Sequence, residues 1–303
     1  MTPFQQQPLS ALPESPHRPH VFADSQAESA TMRSAYFGPH KVHWRTYGEG
    51  PPLLLVHGLM THSYSWRYAF ATLGQRFTCY APDLVGAGDS HPVDRPYHPD
   101  ALADWIGEFV AMAGIKGCPA VGNSMGGYLC MRLALREPET MSRLVNLHAP
   151  GLSTPRMRVL NAAMSIPGSY GLLGRLVSRD PERWAHSNVH YYDESLKSRE
   201  EARAYAAPLS SPEGCRAFAR YLHQALAPQP MDTFSKRLRR AGFPIPLQLL
   251  YAEEDPMVPP SVGLRYKALL PSAELTWLHE ASHFAHVDAV EQFTAAALPF
   301  LEA

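Results

Sequence analysis

Residues 119–136 read PAVGNSMGGYLCMRLALR. A short apolar run from Pro119 to Gly122 leads at once into Asn123-Ser124, and helical periodicity follows over Tyr128–Arg136. That order predicts a strand, a sharp turn and a helix. A serine on such a turn sits in a strained backbone, and glycines two places before it (Gly122) and after it (Gly126) remove the Cβ atoms that would clash there. The helix starts beneath the serine, so its dipole and its free N–H groups favour developing negative charge. Gly-x-Ser-x-Gly in this setting makes Ser124 the candidate nucleophile.

The flanking segments extend the same alternation. Leu53–Val56 is a solid apolar run, too short for a helix, closed by His57-Gly58; it suits a strand buried on both faces. A helix-like stretch to Gly74 and a strand at Phe77–Ala81 come next. Leu102, Trp105, Ile106 and Phe109 then recur at i, i+3, i+4 and i+7, which predicts an amphipathic helix over 100–113. Arg143–Leu147 reads as a strand. Upstream, HKVHWRTYGEGPP alternates and breaks at Gly and Pro, the pattern of an antiparallel strand and its turn. Strand–helix alternation implies right-handed crossovers and an α/β fold with a mostly parallel sheet flanked by helices.

The alternation stops near Gly151. Residues 151–240 contain several helical stretches and no convincing buried strand, and carry 14 Lys+Arg against 8 Asp+Glu. They read as a helical insertion. The α/β pattern resumes at Ile245–Tyr251 and Ala273–Leu278 and ends in a helix over Val287–Leu301. Residues 1–30, rich in Pro, Gln and Ser, read as a disordered or loosely attached arm. The expected organisation is therefore an arm at 1–30, a core at 31–150 and 241–303, and a helical insertion at 151–240.

Composition limits what such a protein can do. The 303 residues carry 27 Lys+Arg and 28 Asp+Glu, with no basic surplus for a nucleic-acid groove. No run approaches a membrane span. The first 20 residues have no basic start and no apolar run, unlike a secretory signal. Cys79, Cys118, Cys130 and Cys215 have no paired spacing and read as reduced thiols of a cytoplasmic protein. No metal-ligand cluster and no nucleotide-binding glycine fingerprint stands out, so neither a metal nor a cofactor is expected. Oligomeric state is not legible.

A serine hydroxyl needs a base, and the base needs an orienting group. In a strand–helix domain these come from loops after later strands. Glu253-Glu254-Asp255-Pro256 follows one strand, and His279-Glu-Ala-Ser-His283-Phe-Ala-His286 follows the next. The carboxylates and the three histidines leave alternatives within each loop.

From about residue 35 onward the sequence resembles the α/β-hydrolase family. His57-Gly58 looks like its oxyanion-loop signature, and Asp83-Leu-Val-Gly86-Ala-Gly88-Asp-Ser90 like its D-x-x-G-x-G-x-S loop. Asp255-Pro-Met-Val-Pro matches its acid motif. Ser282-His283-Phe284 resembles its Gly-His-Phe, with serine in place of glycine, and 151–240 takes the lid position. The resemblance implies Ser124 as nucleophile, His283 as general base and acid, and Asp255 as the residue orienting it. It implies an oxyanion hole from the N–H groups of Met125 and Leu59, with Met60 as the alternative to Leu59. His57 is expected to be a structural hydrogen-bonder and Asp83 to shape its loop. Met60, Trp184 and Phe284 are candidates for substrate contact, although most lid aromatics can equally pack helix on helix. Some relatives place the acid after the strand Arg143–Leu147, where this chain has Asn146 and His148.

Serine at the elbow excludes the dehalogenase and epoxide-hydrolase chemistries that need a carboxylate there. The elbow is also similar to that of the meta-cleavage-product hydrolases, which split C–C bonds. This chain departs from them in HGLMTH, where they have H-G-x-G-P-G, and in Phe284, where they have Trp. The expected activity is hydrolysis of a small or medium apolar ester through an acyl-enzyme. C–C hydrolysis and cofactor-free haloperoxidase or perhydrolase chemistry on the same triad are the alternatives. A hydrolase-fold ligand receptor is the alternative of another class.

Overall fold

The computed structural model describes residues 3–303. Eight strands form one sheet: β1 (Gln26–Ser34), β2 (Gly38–Tyr47), β3 (Pro52–Val56), β4 (Thr78–Pro82), β5 (Cys118–Asn123), β6 (Met141–Leu147), β7 (Leu247–Ala252) and β8 (Glu274–Leu278). Their order is β1-β2-β4-β3-β5-β6-β7-β8. β1/β2 and β2/β4 pair antiparallel, and every other pair is parallel.

The helices are α1 (Ala69–Leu73), α2 (Pro99–Met112), α3 (Met125–Ala134), α4 (Pro155–Met164), α5 (Ser169–Arg179), α6 (Pro181–Asn188), α7 (Arg199–Ala206), α8 (Pro212–Arg220), α9 (Pro228–Ala241), α10 (Ser261–Leu269), α11 (Ala285–Asp288) and α12 (Val290–Glu302). α4 to α9 all lie between β6 and β7, so the predicted break in alternation corresponds to a helical segment with no strand.

The central strands are mostly apolar because both faces are covered. Alternate residues of β3 enter different cores: Leu54 and Val56 join the one built with α2 and α3, and Leu53 and Leu55 the one built with α1 and α12. This period of two is what a strand buried on both sides requires. All four cysteines are free and buried. Burial pushes the Cys118 thiol up to about 12, so it stays protonated and inert.

The structure differs from the sequence reading at the N-terminus. β1 starts at Gln26 and pairs along its whole length with β2, so the expected boundary at residue 30 falls inside a strand. An edge strand open to solvent needs few aliphatic residues, which is why QAESATMRS reads as polar. Residues 6–14 lie along the helical segment, whereas Phe22 stacks on Phe70 of α1. Gln6 donates to the His186 carbonyl at 2.6 Å, and the Arg199 and Glu200 amides donate to the carbonyls of Pro13 and Glu14.

Candidate active site

Ser124 sits between β5 and α3 with φ 52° and ψ −122°, outside the regions that L-residues favour. The flanking glycines permit the turn. A Cβ on Gly126 would lie 2.3 Å from the Val56 carbonyl oxygen, and one on Gly122 would lie 2.5 Å from Gly127 Cα. The backbone of the loop after β3 also packs near the turn, since a Cβ on Gly58 would meet Ser124 Cβ at 3.0 Å. Met125 opens α3, so its N–H is one of the amides without an intrahelical acceptor.

Asp255 and His283 come from the loops after β7 and β8. His283 Nδ1 hydrogen-bonds Asp255 Oδ2 at 2.7 Å, and both side chains are buried. Asp255 Oδ1 accepts the amides of Met257 (2.7 Å) and Val258 (2.9 Å). Burial pushes the Asp255 carboxyl up, but the imidazole beside it and the amide donors outweigh that and hold it below its ordinary range. The competing residues sit elsewhere. His279 pairs with exposed Glu253 at 2.9 Å, Glu254 faces solvent, and His286 is buried against Trp66 with ring centroids 4.5 Å apart.

Ser124 and His283 line one cavity of about 170 Å³, together with Leu59, Met157, Leu160, Leu226, Val258 and Phe284 among others. Of the candidate substrate contacts, Phe284 lines this cavity, and Leu59, the candidate oxyanion donor, lines it too. Met60, at φ 64°, lines a smaller adjoining space with Met125 and Phe218. Trp184 lines neither; it packs with Val177, Leu209 and Phe218, because helix-on-helix packing within the segment absorbs its large apolar surface.

His57 has the expected structural role. Its Nε2 accepts the Leu84 amide at 2.9 Å, so Nδ1 carries the proton and donates to the Gly58 carbonyl at 2.8 Å. Burial lowers it to about 4, which keeps it neutral. Asp83 ties its loop together by accepting the amides of Ser63 (2.8 Å) and Asp89 (3.0 Å) and bonding His43 at 2.9 Å.

Two residues escaped sequence reasoning as contributors. Asn123 donates from Nδ2 to the His283 carbonyl at 3.1 Å, which ties the elbow to the histidine loop. His148, at φ 57°, accepts the Ala252 amide on Nε2 at 2.8 Å, and its ring lies 5.6 Å from that of His283. Burial lowers it to about 3, so it stays neutral. The only signal for it in the sequence is its place after β6.

Two groups bring three candidate metal-ligand atoms within 4.8 Å of one another: His148, Asp255 and His283, and His43, Asp83 and Asp89. In both, hydrogen bonds already occupy the central carboxylate, as described above for Asp255 and Asp83. The donor sets read as hydrogen-bond networks.

A family model described as the alpha/beta hydrolase fold matches residues 51–290. The chain belongs to the α/β hydrolase fold family. As a member of it, the chain is a hydrolase with an eight-stranded, mostly parallel sheet. It is 26% identical over 263 residues to a 2-hydroxymuconate semialdehyde hydrolase of Pseudomonas sp. strain CF600, covering 84% of this chain and 88% of that one. It is 29% identical over 267 residues to haloalkane dehalogenase 2 of Mycobacterium tuberculosis, covering 84% and 90%. An esterase structure from Thermogutta terrifontis superposes with a TM-score of 0.72 at 20% identity, covering 91% and 98%, a likeness of fold. Among the described residues no helix is long and apolar enough to cross a membrane.

Proposed function

We propose that this hydrolase cleaves a small or medium apolar ester through an acyl-enzyme formed on Ser124. The observation that carries the reading is a strained serine sharing one largely apolar cavity with an imidazole whose far nitrogen is held by a buried carboxylate. With Nδ1 engaged by Asp255, Nε2 of His283 is the nitrogen available to take the Ser124 proton. As Oγ bonds to the ester carbonyl carbon, the carbonyl oxygen gains charge, and the N–H groups of Met125 and Leu59 are the proposed donors to it. One such donor contributes about 3 kcal/mol in the transition state. His283 then gives its proton to the leaving alcohol. Water, deprotonated by the same imidazole, attacks the acyl-enzyme, releases the acid and restores Ser124.

The segment α4–α9 acts as the lid in this reading. Met157, Leu160 and Leu226 supply the apolar wall of the cavity and favour an apolar acyl or alcohol group. The Ser124 hydroxyl supports an acyl ester, not the alkyl ester that a carboxylate nucleophile forms. Four free buried thiols support a reducing, cytoplasmic setting. Ser124→Ala is expected to abolish turnover of p-nitrophenyl short-chain esters and labelling by a fluorophosphonate while leaving the circular dichroism spectrum unchanged. Wild-type rates in that variant would sink the reading.

The likeness to 2-hydroxymuconate semialdehyde hydrolase favours a second reading, C–C hydrolysis by the same three residues. A panel pairing aryl esters with vinylogous diketones separates the two.

A further inference from the structure

Among the described residues seven large apolar side chains stand exposed, and five of them lie on one helical hairpin. Val159 and Leu160 are on α4, Ile166 is in the turn, and Leu172 and Leu176 are on α5. Val159, Ile166 and Leu172 are 73%, 63% and 61% exposed, far more than a core-facing helix leaves open. A sixth, Met257, lines the Ser124 cavity together with Leu160.

The charge on this hairpin is one-sided. Residues 151–179 contain Arg156, Arg158, Arg175 and Arg179 and no Asp or Glu. All four arginines are exposed. Arg158 is paired with Asp232 at 2.6 Å, whereas Arg156, Arg175 and Arg179 have no carboxylate within ion-pair distance among the described residues. Exposed aliphatics interleaved with unpaired arginines have the chemistry of an element lying in a lipid–water interface, where apolar side chains enter the acyl boundary and cations meet anionic headgroups. A second copy fits this face poorly, because an isologous contact would set the same arginines against each other.

We propose that α4 and α5 form a docking surface for an anionic phospholipid bilayer. The surface adjoins the Ser124 cavity, since Arg156, Met157 and Leu160 of α4 line it. A lipid-dissolved substrate therefore has a short apolar path from bilayer to nucleophile. This last step rests on the function proposed above; the docking itself does not.

The test is co-sedimentation of the full chain with phosphatidylcholine vesicles and with vesicles that also contain phosphatidylglycerol. Binding is expected with the second and not the first, and at least as tightly in Ser124→Ala. Arg175→Glu with Arg179→Glu is expected to weaken it by about 25-fold or more, about fivefold for each arginine lost. Ile166→Asp with Leu172→Asp is expected to weaken it at least tenfold, with soluble-ester turnover and melting temperature unchanged because neither residue lines the cavity. Equal binding to both vesicles, no binding to either, or binding indifferent to both variants overturns the docking surface. So does a dimer in analytical ultracentrifugation that Ile166→Asp with Leu172→Asp dissociates, because a second copy then covers the face. Vesicle binding with no ester turnover by wild type would instead overturn the catalytic reading alone.

Discussion

Asp255 grips His283 through one oxygen, at 2.7 Å, and is itself gripped through the other by the amides of Met257 and Val258. The carboxylate is thus fixed before it meets the imidazole, and the imidazole inherits one orientation and one tautomer. Asp255→Asn is expected to keep the amide contacts and the fold but to present an N–H to Nδ1. The imidazole then turns over its proton to Nε2, the wrong nitrogen for accepting one from Ser124. A loss of about 10⁴-fold in kcat is expected, with little change in KM. Steady-state assay on an aryl ester checks it; a loss below tenfold would show that Asp255 does not set the tautomer.

The backbone at Ser124 stores strain that a substitution can release. At φ 52° and ψ −122° a side chain costs about 1–3 kcal/mol, and glycine escapes most of this cost. Glycine also gains entropy in the unfolded chain, which returns part of the difference. Ser124→Gly is therefore expected to be more stable than Ser124→Ala by about 1 kcal/mol, with both inactive. Urea unfolding of the pair reads this directly. Equal midpoints would mean that the elbow is not strained.

The core was legible because its signals are local. Leu53–Val56 is an unbroken apolar run, and Arg143–Leu147 and Ile245–Tyr251 are mostly apolar, broken only at Arg143, Asn146 and Gln248; such runs occur where both faces of a strand are covered. The elbow was legible because the backbone conformation at Ser124 demands glycines at fixed offsets. β1 was only half legible, since a strand paired on one side and wet on the other can be built from QAESATMRS. The position of Trp184 depends on how the helices between β6 and β7 pack together, and no spacing encodes that. Asn123 and His148 act across distances of 160 and 104 residues, so nothing near them in sequence announces their partners.

A buried charge pair joins the core to the helical segment. Arg67, just before α1, is nearly inaccessible and pairs with Glu201 of α7, which also accepts the Tyr191 hydroxyl at 2.8 Å. The guanidinium reaches Tyr205 Oη at 3.2 Å and stacks over Tyr64, 4.5 Å from the ring centroid. Such a pair gains little over an apolar replacement but leaves a stranded charge when halved. Glu201→Gln is expected to lower stability by about 3–5 kcal/mol, and Arg67→Met with Glu201→Leu by less than Glu201→Gln alone. Denaturant titration of both variants tests this. A double variant weaker than the single one would show that the pair stabilises beyond its own desolvation cost.

Asp288 gives the fold a pH dependence of opposite sign to the usual carboxylate. Its oxygens accept the amides of Ser282 (3.1 Å) and Tyr192 (2.9 Å), joining the histidine loop to the helical segment. Burial nevertheless outweighs these donors and pushes the carboxyl up to about 7 from an ordinary 3.8. Between those values the folded chain holds a proton that the unfolded chain has released. Stability therefore falls as pH rises through that window, because the unfolded state binds fewer protons. Asp255, held low, acts in the other direction, and its stabilisation is lost only as pH falls below the ordinary carboxylate range. The two windows do not overlap, so they can be separated by substitution. Asp288→Asn keeps an acceptor for an amide and removes the titration. Its stability relative to wild type is expected to rise between pH 5 and pH 8 by about 1–3 kcal/mol, after allowance for solvent at this partly buried group. Melting curves of both proteins across the range decide it. A difference that stays flat would mean that Asp288 is ionised in the folded protein throughout.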